Sequence, residues 1–341
     1  MEPRENIKSL KPYTSARDLV KEEDLIFLDA NENPYDSGMN RYPDPRQAEL
    51  KQAIGKWLKV VPDRIFAGNG SDEVIDLAIR AYTIPGKDRI ITLGPTYSMY
   101  KVQAEIQDVE VKEILLDKDF QPDTEKILSE VTPRDKIIFM CSPNNPTGNL
   151  MERQKIISLA ENFNGLVFVD EAYVDFAPEG SVIDLVEKYP NLLVSRTFSK
   201  AMGMAGIRLG LGIADTEIIE TLSKIKYPYN VNRLTQNAAL EALNDLEESR
   251  EQVRTIIKDR GKLRIRMERL SFVKQIFHSD ANFLLVEVKD AQTLIKFLRN
   301  KGIVIRDRSG VVENKEFVRI TIGTPKQNEQ LIVELRNFDN G

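Results

Sequence analysis

The sequence predicts an α/β protein, with a large α/β/α unit built on a mostly parallel sheet and a smaller α+β unit after it. Two observations lead there. Between Arg41 and Ala214, short apolar runs alternate with amphipathic helical stretches, the pattern of a parallel sheet covered by helices on both faces. After a long charged helical region from Leu234 to Leu270, the pattern changes to strand, strand, helix, strand, strand, helix. A chain of 341 residues is long enough for two compact units, and it shows no internal repeat or long linker.

The first pattern marks strands at Arg89–Leu93, Lys136–Cys141, Leu166–Asp170, Leu192–Thr197 and Leu209–Ala214. Their apolar runs suit strands buried on both faces. Helix starts are signalled by Asp44-Pro45 ahead of Arg46–Leu58, and by Asn69-Gly70-Ser71-Asp72-Glu73 ahead of Val74–Ala81. In the second unit the elements are Phe272–Phe277, Asn282–Val288, Ala291–Asn300, Ile303–Arg306, Phe317–Ile322 and a closing helix through Arg336. The division that follows is an N-terminal segment over residues 1–30, a large unit over 31–235 and a small unit over 236–341.

Composition narrows the chemistry. Apolar content of 41% with 30% charged residues is ordinary for a soluble globular protein, and no apolar run approaches a membrane span. The opening Met-Glu-Pro-Arg-Glu-Asn lacks the apolar core of a signal peptide, so the cytoplasm is the expected compartment. A net charge of -5 exerts no global pull on nucleic acid or acidic membranes, which leaves small molecules as the expected partners. The single cysteine, Cys141, excludes an intramolecular disulfide and a cysteine-rich zinc site. One histidine, His278, excludes a multi-histidine metal cluster; it reads as a partly exposed polar residue where a strand ends, and no metal is expected.

Three signals fall where a strand gives way to a loop or helix. Ser142-Pro143-Asn144-Asn145-Pro146-Thr147-Gly148 follows the strand ending at Cys141, and by itself reads equally well as a turn. Val169-Asp170-Glu171-Ala172-Tyr173 puts an acid at the carboxyl end of a buried strand, the edge where open α/β sheets bind ligands; alone, Asp170 could be a helix cap. Ser195-Arg196-Thr197-Phe198-Ser199-Lys200-Ala201 sets a lysine among hydroxyl and small residues, with Arg208 eight positions on, a suitable neighbourhood for a phosphate.

Together the Asn, Asp and Lys signals resemble the fold-type I pyridoxal-phosphate enzymes, and within them the aminotransferase branch that contains histidinol-phosphate aminotransferase. The resemblance runs from Pro12-Tyr13 and Leu28-Asp29-Ala30-Asn31-Glu32-Asn33-Pro34 to Val318-Arg319-Ile320-Thr321-Ile322-Gly323. It implies pyridoxal 5'-phosphate as cofactor, a group that asks for a lysine, an acid at its ring nitrogen and donors for its phosphate. By the resemblance Lys200 bonds the cofactor and later shuttles the proton, Asp170 pairs with the ring nitrogen, and Asn145 and Tyr173 donate to the phenolic oxygen. Gly70, Ser71 and Asp72 open a helix whose free N–H groups suit the phosphate, with Ser199 and Arg208 completing the cup. Tyr97 resembles the aromatic residue that stacks on the ring, and would otherwise be a core tyrosine.

Tyr42 resembles a tyrosine that reaches the phosphate from a neighbouring subunit, which implies a homodimer with shared active sites. For the substrate the resemblance points to Arg319 and Arg306, with Tyr13 and Asn31 closing over the same pocket from the N-terminal segment. An arginine inside an otherwise apolar strand is costly unless paired, which independently singles out Arg319. The implied reaction exchanges an amino group between L-histidinol phosphate and 2-oxoglutarate, a step of histidine synthesis. An aromatic amino-acid aminotransferase and a threonine-phosphate decarboxylase share the motif set. A regulator that only senses the cofactor would need an added DNA-binding region, for which the residues before Asp29 are too few.

Overall fold

The computed structural model describes residues 2–12, 25–310, 312 and 314–340. Tyr13, one of the expected substrate contacts, lies outside them. Two sheets organise the chain. The larger has seven strands: β1 (Ile65–Asn69), β2 (Arg89–Gly94), β3 (Glu110–Leu115), β4 (Asp135–Cys141), β5 (Leu166–Asp170), β6 (Leu192–Thr197) and β7 (Leu209–Ala214), in the order β1-β7-β6-β5-β4-β2-β3. Strands β2 to β6 run parallel, whereas β7 is antiparallel to both β6 and β1. The reversal at β7 has a local cause: only Phe198 to Arg208 connects it to β6, too few residues for a crossover helix.

Successive residues of the central strands point to opposite faces, so each strand feeds two cores. Ile138, Met140, Val167, Val169 and Val194 join one core with Leu50 and Ile54 of α2 (Ala48–Leu58). Ile137, Phe139, Leu166, Phe168 and Leu193 join the other with Val74, Ile75 and Ala78 of α3 (Ser71–Tyr82) and Tyr100 of α4 (Met99–Ile106). This double covering is why those strands read as unbroken apolar runs. Helix α1 (Glu5–Lys8) buries Ile7, and Arg4 N–H donates to the Ala81 carbonyl at the C-terminal end of α3. Residues 4–8 therefore dock at the end of α3 opposite its N-terminus.

The charged helical region after residue 232 consists of two helices, α8 (Arg233–Asn244) and α9 (Glu247–Met267), parted where the Asp245 carboxylate accepts from Glu247 N–H. Helices α5 (Thr124–Glu130), α6 (Arg153–Asn162) and α7 (Thr216–Ile225) complete the larger layer. The second sheet is antiparallel, in the order β10-β11-β9-β8, with β8 (Val273–Ile276), β9 (Phe283–Val288), β10 (Arg306–Asp307) and β11 (Phe317–Thr321). Residues of α9, α10 (Ala291–Asn300) and α11 (Pro325–Asn340) cover it in a third core. The strand expected over Ile303–Arg306 shrinks to Arg306–Asp307, because Val304 is exposed and gains nothing from pairing there. Tyr173, Phe176, Ala201, Ala281 and Phe283 form a fourth cluster that joins the two sheets beside α9.

Candidate active site

Every parallel strand of the large sheet delivers its carboxyl end to one edge, and β1 does so too, because two antiparallel steps separate it from β6. The residues immediately beyond those ends meet there: Gly70 and Ser71 after β1, Tyr97 after β2, Asn145 after β4, Asp170 closing β5 and Lys200 after β6. Arg208 arrives at the same edge because it precedes the antiparallel β7. A cavity of about 170 Å³ is lined by Ser71, Asp72, Tyr97, Asn145, Asp170, Tyr173, Ser199, Lys200 and Arg208, together with Cys141, Ala172, Thr197 and Ala205. The nine residues named first are all among those read from the sequence.

Asp170 is buried, and its donors among the described residues are Tyr100 Oη at 2.8 Å on Oδ2, and Ser195 Oγ at 3.0 Å and Ala172 N–H at 3.1 Å on Oδ1. Burial pushes its pKa up and these donors oppose the shift. On Lys200 the effect of burial has the opposite sign: desolvation lowers the pKa of the amine, and the positive charge of Arg319 lowers it further. The ammonium stands 5.7 Å from the centre of the Tyr173 ring. Burial also raises the Tyr173 hydroxyl and the Cys141 thiol, so both stay protonated near neutral pH. Asn145 connects the two sheets, with its amide nitrogen 3.4 Å from Tyr173 Oη and its oxygen accepting from the Arg319 guanidinium.

The start of α3 is open. Gly70 at the N-cap takes φ +78, no side chain among the described residues caps the helix, and Arg208 lies 3.5 Å from Asp72 Oδ2. Tyr97 Oη donates to Asp72 at 3.3 Å. The close packing under this turn needs glycine at 210, where a Cβ would fall 2.0 Å from Ser71 N. Behind the site, buried Arg196 pairs with Glu171 and Asp175, tying β6 to the turn after β5.

A second cavity of about 930 Å³ shares Tyr97 and Asn145 with the first and lies between the two sheets. Arg308 lines it. This arginine carries no ion pair among the described residues, and its Nε is buried without a hydrogen-bond partner. Burial and the charges of Arg319 and Arg306 lower its pKa. Sequence reading passed over Arg308. Its spacing of two from Arg306 gives no reliable signal, because β10 ends at Asp307 and the two arginines border different hollows. Arg306 stands opposite Arg319 in the β10–β11 pair, yet it is exposed and lines neither cavity; it borders a separate surface hollow with Arg299 and Ser309.

The remaining expected contacts sit elsewhere. Asn31 is exposed with φ +54 and borders neither cavity. Tyr42 faces outward, stacked on Tyr229 at 4.4 Å, with its N–H donating to the Glu32 carboxylate. His278 is exposed and pairs with Asp280 at 2.9 Å, in keeping with a polar residue at a strand end.

Comparison with known proteins agrees with this geometry. The family model for aminotransferase class I and II matches residues 23–335. The histidinol-phosphate aminotransferase of Christiangramia forsetii is 50% identical over 339 residues, covering 99% of this chain and 97% of that protein. That of Flavobacterium johnsoniae is 49% identical, over 98% of this chain and 96% of its own length. The crystal structure of the histidinol-phosphate aminotransferase from Clostridium acetobutylicum superposes with a TM-score of 0.82 at 29% identity, covering 89% of this chain and 92% of that one. With cavity, fold and near full-length relatives in agreement, this chain belongs to the class I and II aminotransferase family.

Proposed function

We propose that the chain exchanges an amino group between L-histidinol phosphate and 2-oxoglutarate, giving imidazole-acetol phosphate and L-glutamate, with pyridoxal 5'-phosphate in the cavity around Lys200. The observation that carries this reading is the meeting of a lysine, a buried acid and an open helix start in one cavity, which shares Tyr97 and Asn145 with a larger one bordered by Arg308. The names of the near full-length relatives support the choice of substrate.

The residues present fit the cofactor. The turn at Gly70, kept close to the sheet by Gly210, presents the N–H groups and positive end of α3 to a phosphate, flanked by Ser71, Ser199 and Arg208. Tyr97 forms one wall for a ring, and Asp170 offers a buried acid to a ring nitrogen. When bound, the cofactor supplies an aldehyde carbon that reacts with amines and a ring that takes up the electron pair left as the substrate carbon loses its proton.

The protein's own groups do the rest. Because burial and Arg319 lower its pKa, more of the Lys200 amine is neutral near pH 7, and a neutral amine can accept and return the substrate's proton. Asn145 and Tyr173, adjacent at 3.4 Å, offer two donors to a phenolic oxygen. Arg319, fixed by Asn145 and lying over the Phe283 ring at 5.2 Å, receives the carboxylate of glutamate. Arg308, beside it, adds charge for the phosphate of histidinol phosphate. Cofactor binding thus falls to residues 31–235 and the substrate's anionic end to residues 236–341.

The enzyme we infer is a cytoplasmic homodimer with shared sites. Tyr42 is exposed, as are Leu28, Tyr35 and Met39 earlier in the chain, and exposed large apolar side chains suit contact with a second copy. No described helix is long and apolar enough to cross a membrane. The test of the reaction is amino transfer from histidinol phosphate, phenylalanine and tyrosine measured side by side, with carbon dioxide release from threonine phosphate as a control. Histidinol phosphate should have the highest kcat/KM. A preference for phenylalanine, or release of carbon dioxide, would overturn the substrate.

A further inference from the structure

Asp170 is a buried acid with no basic side chain in an ion pair with it among the described residues. Its charge rests on the donors around it. Two are hydroxyls from residues that do not line the cofactor cavity: Tyr100 from α4 and Ser195 from β6. They divide the carboxylate between them, one oxygen each. Ser195 is held in place by register, as the residue paired with Asp170 across the parallel β5–β6 ladder. Tyr100 is held by packing: its ring is fully buried, stacked on Phe139 at 4.7 Å and 13°, and meets Tyr97 edge-on at 5.6 Å and 85°.

We propose that Tyr100 and Ser195 are positioning residues for amino transfer, which keep Asp170 an oriented anion aimed at the ring nitrogen of the bound cofactor. The proposal rests on the reading that pyridoxal phosphate occupies this cavity. The backbone N–H of Ala172 can only donate, so Oδ1 is an acceptor, and a hydroxyl beside each oxygen favours the ionised form. The other groups near Asp170 give less help. Asp72 at the start of α3 repels its charge, Cys141 of β4 stays protonated, and Tyr97 and Tyr173 remain neutral. Lys200 has its own pKa lowered by burial and Arg319. The same Tyr100 ring that donates to Asp170 also supports Tyr97, so one buried residue sets both the acid and the wall of the ring site.

Tyr100→Phe removes the hydroxyl and keeps the ring contacts, and Ser195→Ala removes the second donor. Losing a hydrogen bond to a charged group should raise the proton affinity of Asp170 by about tenfold to a hundredfold for each donor. The readout is the nitrogen chemical shift of holoenzyme reconstituted with pyridoxal phosphate labelled with nitrogen-15 in the ring. Each single variant should move the shift from the protonated towards the unprotonated position, and the double variant should move it further. Turnover should fall with little change in the KM of the amino donor. A double variant that folds, binds cofactor and keeps the wild-type shift would overturn the proposal; if the double variant does not fold, the shift in Tyr100→Phe decides alone. A wild-type protein that bound no cofactor would overturn both this proposal and the reading beneath it.

Discussion

The two halves of the site are built on different principles. Around Lys200 the functional groups are the first residues past the ends of strands, and the backbone of the large sheet carries them to one edge whatever their side chains do. Around Arg319 they are long side chains on a short antiparallel pair, and register, exposure and the end of β10 decide which of them reaches the cavity. Chemistry anchored at strand ends is set by topology, whereas chemistry carried on arginines is set by packing. The two halves should therefore respond differently to substitution.

The largest effect is expected on the strand-end side. Lys200→Ala removes the residue proposed both to bond the cofactor and to move the proton, and it should lower turnover by at least about 10²–10⁴-fold with loss of the bound-cofactor colour. Absorbance spectra and single-turnover kinetics check both. Normal turnover in this variant would mean that the strand ends assemble a site other than the one proposed. Gly210→Ala tests the scaffold rather than the chemistry. Its Cβ would meet Ser71 N at 2.0 Å and Gly70 C at 2.2 Å, both backbone atoms. A forced shift of that turn should destabilise the protein by about 1–3 kcal/mol and weaken cofactor binding, read by thermal unfolding with and without pyridoxal phosphate.

The same contrast explains what the sequence made legible. Strands β2, β4, β5, β6 and β7 were readable because burial on both faces makes them apolar throughout, and the loops after them carry residues with few bland uses. Strand β1 was missed because Ile65–Asn69 is short and runs straight into a glycine turn, and β3 because an edge strand such as Glu110–Leu115 stays half exposed and keeps its charges. Tyr100 and Ser195 were invisible as functional residues, since a buried tyrosine and a strand serine look the same whether or not a carboxylate lies beside them. No sequence pattern says that Arg308, one residue past the end of β10, borders the larger cavity while Arg306, within it, borders another hollow.

On the arginine side, Arg319 should matter to both half-reactions: it lines neither cavity itself, but its guanidinium donates to Asn145, which lines both. Arg319→Gln should lower kcat/KM for glutamate and for histidinol phosphate by roughly ten- to more than a hundredfold, from charge-assisted bonds of about 1.5–3 kcal/mol each. Arg308→Gln should show a split: a loss of about tenfold or more for histidinol phosphate and a smaller one for glutamate, since a phosphate dianion gains more from a second guanidinium than a carboxylate does. Single-turnover kinetics with each donor separate the cases. Equal losses on both donors would show that Arg308 acts on Arg319 and not on the phosphate.

Arg306→Gln should have the smallest effect, and it is the sharpest probe of whether packing decides. Arg306 stands opposite Arg319 and bears the same charge, but it is exposed and borders neither cavity. It can act on Arg319 and Arg308 only through a solvent-screened field, which at exposed positions is worth about 0.2–1 kcal/mol, or at most roughly a fivefold change. An effect of that kind fades with added salt, because exposed charges are screened over about 10 Å at 0.1 M ionic strength. A direct contact with a buried phosphate would persist in salt. The kcat/KM for histidinol phosphate should therefore be compared between Arg306→Gln and Arg308→Gln at low and high ionic strength. If Arg306→Gln matched the loss in Arg308→Gln and salt did not erase it, the β10 edge would have to shift when the substrate binds, bringing Arg306 inward, and the arginine half of the site would be set by motion as much as by packing.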